Sequence, residues 1–532
     1  LLKTYPHHHE DKVMHKAVSE NLVSCFLLLI GASLFPCHAM AVVTNGPNAA
    51  NTVLVDAGML EGSRDNNVFS FRGIPFAAAP VAQWRWREPQ PVEKWNGIRT
   101  AKKFGNACIQ TPGLSEKNGG SPGKISEDCL YLNVWTPRLQ QGAKLPVMVW
   151  IHGGGLVFGS GAVPGYGGDS LAKRGAVIVS INYRMGPLGF FSHPALDAEN
   201  TGVKNFGLLD QIAALKWVQK NISAFGGDPG NVTIFGQSAG AESVLALYSS
   251  PLARGLFHKG IAQSPYGIPG HKLEKARNVG VAIASELGLG GIRASAAQLR
   301  AVPAEKFAEF QKPELNLSPG FIAGDAALPA TILDTFQKKQ QAVMPLIIGN
   351  NSDEATVATA FGVDPAKVIQ GLGKSKIFVK PLYPKVANDK ELGRQVMRDA
   401  VFTAFARRIS YLQSQRAPVW RYYFSYVQER LRGSQPGVGH GGEVPYMLDT
   451  GNTCACLPVA FSKSDSNLAQ RIGDSWVAFA RTGNPQVSGL PQWQKDSVKN
   501  DRVLEFSETI TLRKSFMQPR INALILGLKA AD

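Results

Sequence analysis

Phe235-Gly236-Gln237-Ser238-Ala239-Gly240 sets a serine between two glycines, directly after the apolar run Val232-Thr233-Ile234-Phe235 and directly before an apolar, helix-like stretch. A strand that enters a helix through so short a turn is crowded, and glycines two before and two after the serine leave room for it. The pattern is a G-x-S-x-G nucleophile elbow, which holds the serine hydroxyl clear of the backbone. Alone it is a weak signal, because long chains match it by chance. Its strand-then-helix setting and two further segments give it weight.

The first of these is Val147-Met148-Val149-Trp150-Ile151 followed by His152-Gly153-Gly154-Gly155, a buried-strand pattern that runs into three glycines. Such a backbone can converge N–H groups on one point, where they stabilise the negative oxygen of an acyl-transfer transition state. The expected oxyanion donors are Gly154, Gly155 and Ala239. A plain glycine turn or a phosphate loop is the competing reading, and no G-x-G-x-x-G or Walker pattern supports the latter. The second segment is Gly439-His440-Gly441-Gly442-Glu443-Val444-Pro445-Tyr446, with a histidine in a glycine-flanked loop. Nucleophilic catalysis needs a base of near-neutral pKa to take the serine proton and return it to the leaving alcohol. Of the ten histidines, His7, His8, His9, His15 and His38 fall in an N-terminal leader, and His193, His258 and His271 lack such a setting. His152 is the rival, but its place before the glycines suits a structural hydrogen bond.

In this chain order the acid lies between serine and histidine. Pro345-Leu346-Ile347-Ile348-Gly349 reads as a short buried strand, and Asn350-Asn351-Ser352-Asp353-Glu354 follows at its carboxyl end, where catalytic groups gather in open parallel sheets. Spacing alone leaves both Asp353 and Glu354 open, with a solvated acidic turn as the bland alternative.

With these segments in place, the chain resembles the type-B carboxylesterase and cholinesterase family of α/β-hydrolases from about residue 51 to about residue 515. The resemblance extends to Phe71-Arg72-Gly73-Ile74-Pro75-Phe76-Ala77, Glu127-Asp128-Cys129-Leu130-Tyr131-Leu132-Asn133-Val134, Asn182-Tyr183-Arg184-Met185-Gly186, Gly207-Leu208-Leu209-Asp210-Gln211 and Phe225-Gly226-Gly227-Asp228-Pro229. It implies a large, mostly parallel sheet flanked by helices, with an N-terminal β-hairpin region and helical insertions over the active site. It also implies a serine esterase with Ser238 as nucleophile, His440 as base and Glu354 as acid, the last from an Asp-Glu-Gly triplet in which Ala355 stands for the glycine here. No metal or organic cofactor is implied. Leu156 departs from the aromatic residue usual after the glycines, which bears on pocket shape. Leu156, Gln237, Tyr266 and the segment 321–328 are expected pocket lining. Adhesion proteins of the same family lack parts of the catalytic set, so a non-catalytic binding protein is the alternative from another class. A cholinesterase is disfavoured: Gln237 sits where those enzymes have Glu, and the loop from Ile109 to Asp128 has no aromatic residue to bind a quaternary ammonium.

At 532 residues, length alone suggests several domains. One site assembled from residues 154, 238, 354 and 440 instead joins residues 42–532 into a single catalytic domain. Short apolar runs at Val177–Ile181, Val232–Phe235, Lys259–Ala262 and Leu346–Ile348 read as buried strands, alternating with helical patterns at Leu208–Asn221 and Asn467–Arg481. Residues 1–41 read as an upstream extension and signal peptide: Met14, Lys16, an apolar run of 14 residues from Leu22 to Phe35, and Ala39-Met40-Ala41 before a cleavage point. The run is shorter than the about 20 residues of a transmembrane helix, so export to the periplasm or medium is expected, without stable membrane insertion. Cys108, Cys129, Cys454 and Cys456 remain in the mature chain. The resemblance pairs Cys108 with Cys129, while Cys454-Ala455-Cys456 is open between a local disulfide, free thiols and, least favoured, a metal site.

The net charge of +16 is carried by the mature chain, because the three lysines and three acids of residues 1–41 cancel. The basic residues are scattered, which argues against nucleic-acid binding. A generally basic surface is the plainer explanation. The sharper one is attraction of an anionic small-molecule ester, with Arg430 and Arg432 before His440 as candidate contacts. Bacterial family members that release tricarballylic acid from fumonisin handle such a polyanionic ester, and that reading stands as the specific alternative.

Overall fold

Strands of alternating aliphatic and aromatic residues, buried on both sides, form the centre of the molecule. The computed structural model describes residues 51–531 apart from 119, 198, 200, 201, 269, 312–319, 361, 455 and 456, so the expected leader and its cleavage after Ala41 lie outside the described residues. Eleven strands form one sheet: β1 (Ser63–Asp65), β2 (Val68–Pro75), β3 (Tyr131–Thr136), β4 (Leu145–Ile151), β5 (Val177–Ile181), β6 (Gly227–Gln237), β7 (Lys259–Gln263), β8 (Leu346–Asn351), β9 (Val419–Phe424), β10 (Arg502–Phe506) and β11 (Thr511–Lys514). Their order across the sheet is β1-β2-β3-β5-β4-β6-β7-β8-β9-β10-β11. Pairing is parallel from β5 through to β10 and antiparallel at both margins. Before the sheet, Thr52–Val55 and Gly58–Glu61 form an antiparallel hairpin. The chain has the α/β-hydrolase architecture.

The period of two along β4 explains why both faces are covered. Val147, Val149 and Ile151 join one apolar cluster with helices Phe206–Asn221 and Ala239–Ser249, while Met148 and Trp150 join a second with helix Lys463–Thr482. The expected strands lie within the observed ones. Both expected helices begin earlier than their apolar pattern: Lys463–Thr482 starts in a polar turn, where Ser462 and Asp465 form a reciprocal capping box. Cys108 and Cys129 are joined by a disulfide. Cys454 is also disulfide-bonded, which sets aside its free-thiol and metal readings.

One buried ion pair ties sheet to helix. Arg184, just past β5, donates from Nε and Nη2 to Asp210 of helix Phe206–Asn221 at 2.8 Å each, and its backbone N–H donates to the same carboxylate at 2.9 Å. Both side chains are almost wholly buried. Removing one partner strands the other charge in a low-dielectric interior, which costs about 3–5 kcal/mol, whereas replacing both with apolar groups is far less harmful. Asp210→Asn is therefore expected to lower stability by about that amount in urea unfolding, and Arg184→Met with Asp210→Leu by clearly less. A single variant as stable as wild type would show that the pair holds nothing.

Candidate active site

β6 ends at Gln237 and helix Ala239–Ser249 begins two residues later, so Ser238 alone makes the turn. Its backbone sits at φ 58°, ψ −125°, a strained region for a residue with a side chain. The flanking glycines are needed for space: a Cβ on Gly240 would lie 2.0 Å from the Ile151 carbonyl oxygen, and one on Gly236 would lie 2.6 Å from the Gly240 carbonyl. The elbow is thus pressed against the end of β4, the strand that delivers the glycine loop.

In that loop Gly154 and Gly155 have φ of 103° and 61°. Val157 and Phe158 both donate backbone N–H to the Gly154 carbonyl, closing a tight turn. Among the described residues no backbone carbonyl takes up the Gly154 or Gly155 N–H. His152 is fully buried and stacked on Tyr183 at 4.5 Å, with Nδ1 2.8 Å from the Gly153 carbonyl. Burial pulls its pKa down to about 4, so it stays neutral. This is the structural role expected of His152.

Glu354 and His440 meet beyond the end of β8. Glu354 is wholly buried; its Oε1 accepts the Asn351 N–H at 2.6 Å and its Oε2 accepts from His440 Nδ1 at 2.5 Å. Burial lowers the His440 pKa, but the Glu354 carboxylate and its hydrogen bond outweigh burial, so the net shift is upward. Asp353, its neighbour, turns the other way and pairs with Arg394. The structure brings Glu354, not Asp353, to the histidine.

Several neighbours were not legible in the sequence. Glu443, three residues past His440, is buried and accepts a hydrogen bond from Asn351 Nδ2. Burial first, then the nearby Glu354, pushes its carboxyl pKa up to about 7. Glu242, four residues after Ser238, is buried with Oε1 accepting the Tyr266 N–H at 2.7 Å, and burial raises its pKa to about 8. Phe402 packs on the His440 ring at 5.3 Å and on Tyr266 at 6.4 Å. It is carried by a π-helical turn, Arg398–Thr403, of a kind that often re-aims a side chain at a functional site.

The other expected lining residues divide. Gln237 is at the site, but its Nε2 donates to His440 Nε2 at 3.2 Å, making it a partner of the base. Tyr266 reaches the site through Phe402. Leu156 is buried in the main core with φ 63°. The segment 321–328 packs inward as well, Asp325 accepting the backbone N–H groups of Lys204 and Asn205. Arg430 and Arg432 are exposed, and Arg432 pairs with Glu508 at 3.2 Å and lies over Tyr426. Arg432 is thus engaged by Glu508, which follows β10.

Comparison with known proteins identifies the family of the chain. The model of the carboxylesterase family matches residues 49–379 and 385–523. The chain is 35% identical to the fumonisin B1 esterase of Sphingopyxis macrogoltabida over 490 residues, covering 88% of this chain and 87% of that protein. It is 34% identical to the para-nitrobenzyl esterase of Bacillus subtilis (strain 168), covering 86% and 95%. Among solved structures, a PNB esterase superposes with a TM-score of 0.77 at 30% identity, covering 89% of this chain and 99% of that one. The carboxylesterase Est55 of Geobacillus stearothermophilus gives the same TM-score, identity and coverage.

Two pH effects follow. A base must be neutral to act, so kcat/KM is expected to fall as pH drops through the raised His440 pKa. Glu354→Gln removes the charge that raises it, moving that acid limb to lower pH and cutting turnover by about two orders of magnitude or more. Asp353→Asn is expected to leave the limb in place, and an unmoved limb in Glu354→Gln would refute the coupling. Glu242 keeps its proton to about 8 when folded, against an ordinary 4.5. Its contribution to stability is therefore full below the ordinary value and lost as pH rises through about 8. Glu242→Gln is expected to flatten the fall of Tm over that interval, and parallel Tm curves for the two proteins would count against it.

Proposed function

The chain belongs to the carboxylesterase family and is a carboxylic-ester hydrolase, and we propose that it acts through Ser238 by way of an acyl-enzyme. Ser238 Oγ attacks the ester carbonyl as His440 Nε2 takes its proton. Glu354 holds the imidazole in the tautomer that leaves Nε2 free and stabilises the imidazolium that forms. The N–H groups of Gly154, Gly155 and Ala239 receive the developing oxyanion. His440 then protonates the departing alcohol, the acyl group stays on Ser238, and a water activated by the same histidine releases the acid. Gln237 guards Nε2 before substrate arrives and yields it to the serine, since hydrogen bonds of a catalytic base commonly tighten only with substrate bound.

The observation that carries this reading is the buried Glu354–His440 hydrogen bond beside a strained serine elbow. A binding protein that had lost catalysis would have no use for either, so the non-catalytic alternative is the weaker. The finer reading, a polyanionic ester of the tricarballylate kind, is favoured by the net charge of +16 and by similarity to a fumonisin B1 esterase. With Arg432 paired to Glu508, that preference rests on the field of the whole surface and so falls with salt. Export through the N-terminal leader is proposed with it, supported by the Cys108–Cys129 disulfide. Among the described residues no helix is long and apolar enough to cross a membrane.

Ser238→Ala is expected to abolish hydrolysis of a neutral short-chain aryl ester and of a tricarballylate ester with the fold retained by circular dichroism. Cleavage at the wild-type rate by this variant would overturn the serine mechanism. For wild type, a preference for the anionic ester that fades with added salt supports the polyanion reading, whereas a salt-independent preference for the neutral ester refutes it.

A further inference from the structure

Between Glu354 and Phe402 the chain makes a helical insertion. It leaves the acid through helix Ala355–Ala360 and returns through helix Asp389–Met397 into the π-turn that carries Phe402. The insertion has a small core of its own, in which Ile369, Tyr383, Leu392 and Val396 are buried. Ile377 and Phe378 take no part in it: on the one-turn helix Lys376–Val379 they are 71% and 78% exposed. Two adjacent large apolar side chains held in water beside an available core form a patch that calls for a partner.

The surroundings say which kind. Residues 371–388 contain Lys374, Lys376, Lys380 and Lys385 and no acidic residue. The acid nearest in sequence, Asp389, is taken by Lys376 at 2.6 Å, Lys374, Lys380 and Lys385 are exposed within eight residues of the apolar pair, and Lys380 lines a recess with Ile377. The recess measures about 370 Å³ and is lined by Ile377, Lys380, Pro381, Tyr383, Pro384 and Val386. Apolar tips accompanied by ammonium groups match the boundary of an anionic lipid layer, where phosphates face the lysines and acyl chains receive the apolar tips. A second copy of the chain is a poor occupant, because a two-fold contact through this face would bring its lysines together.

We propose that the Lys374–Lys385 face docks the enzyme reversibly on anionic lipid surfaces, which presents the adjoining site to esters held there. The enzyme lies on the surface without crossing it, and the face shares no residue with the proposed triad Ser238, Glu354 and His440. Arg394 of the same insertion pairs with Asp353, next to Glu354, which ties the insertion to the loop that carries Glu354.

The test is co-sedimentation of the full enzyme with vesicles of phosphatidylcholine alone or mixed with phosphatidylglycerol, at low and high salt. Wild type is expected to partition at least about tenfold more strongly onto the anionic vesicles, and salt to weaken this. Ile377→Ser with Phe378→Ser, which keeps every charge, is expected to lose about tenfold of that binding, as is Lys374→Glu with Lys380→Glu. Turnover of a soluble aryl ester stays unchanged in both and reports folding. Equal binding to the two vesicle types overturns the proposal. So does wild-type binding by the Ile377/Phe378 variant, which would assign the attraction to net charge alone, or a fall from dimer to monomer in that variant, which would assign the face to a second copy.

Discussion

The site depends on how closely the serine turn approaches the end of β4. Ser238 occupies a backbone conformation that costs on the order of 1–3 kcal/mol, and it is held there from several sides. Its N–H donates to the Gln263 carbonyl of β7 at 2.8 Å, and its carbonyl accepts from Glu242 N at 3.0 Å as the helix begins. Gly236 and Gly240 allow the turn to sit on the Ile151 carbonyl, where any Cβ would collide. Because the glycine loop begins directly after β4, this one contact sets how Ser238 sits against Gly153, Gly154 and Gly155, the geometry on which the proposed nucleophile and oxyanion donors rely. Strain that would be a defect elsewhere becomes a fixed aim for the hydroxyl.

Electrostatics supply the second constraint. Two buried carboxyls, Glu354 and Glu443, lie near one imidazole, and like charges so placed cannot both ionise freely. The pKa of Glu443 is pushed up to about 7, with Glu354 among the causes after burial. Asn351 is the joint between them: its backbone N–H binds Glu354 and its side-chain amide binds Glu443 and the Gly439 carbonyl. Glu354 thus raises the pKa of Glu443 while accepting the Nδ1 hydrogen bond of His440.

Much of this was legible in the chain because it depends on local chemistry. The elbow, the glycine loop, the histidine loop and the buried strands are each defined by residues close in sequence, and the strands so read lie inside those observed. The partners that tune the site were not legible. Phe402 reaches His440 only because a helix widens into a π-turn, and Glu242 reads as one more polar residue until its burial is known. The arginines at 430 and 432 looked well placed because they precede His440 in the chain. Proximity along a turn does not fix direction, and Arg432 found Glu508 instead.

Asp353 and Glu354 show how the fold resolves a choice that composition leaves open. Asp353 and Glu354 follow β8 in a turn, Asp353 forming an isolated bridge with Gly439, and their carboxylates part company there. Asp353 bonds through its N–H to the Val438 carbonyl, which docks the histidine loop, and sends its carboxylate outward to Arg394 of the insertion. Glu354 then points inward, where Asn351 N–H and His440 wait. The resemblance read from the sequence implies a glycine next, and Ala355 takes its position here. The substitution is accommodated because Ala355 opens helix Ala355–Ala360 with its side chain buried, and it is not among the residues of positive φ that would require glycine. Glu354 is therefore aimed by the turn that follows β8 and by the helix that Ala355 opens, and this joint needs no glycine.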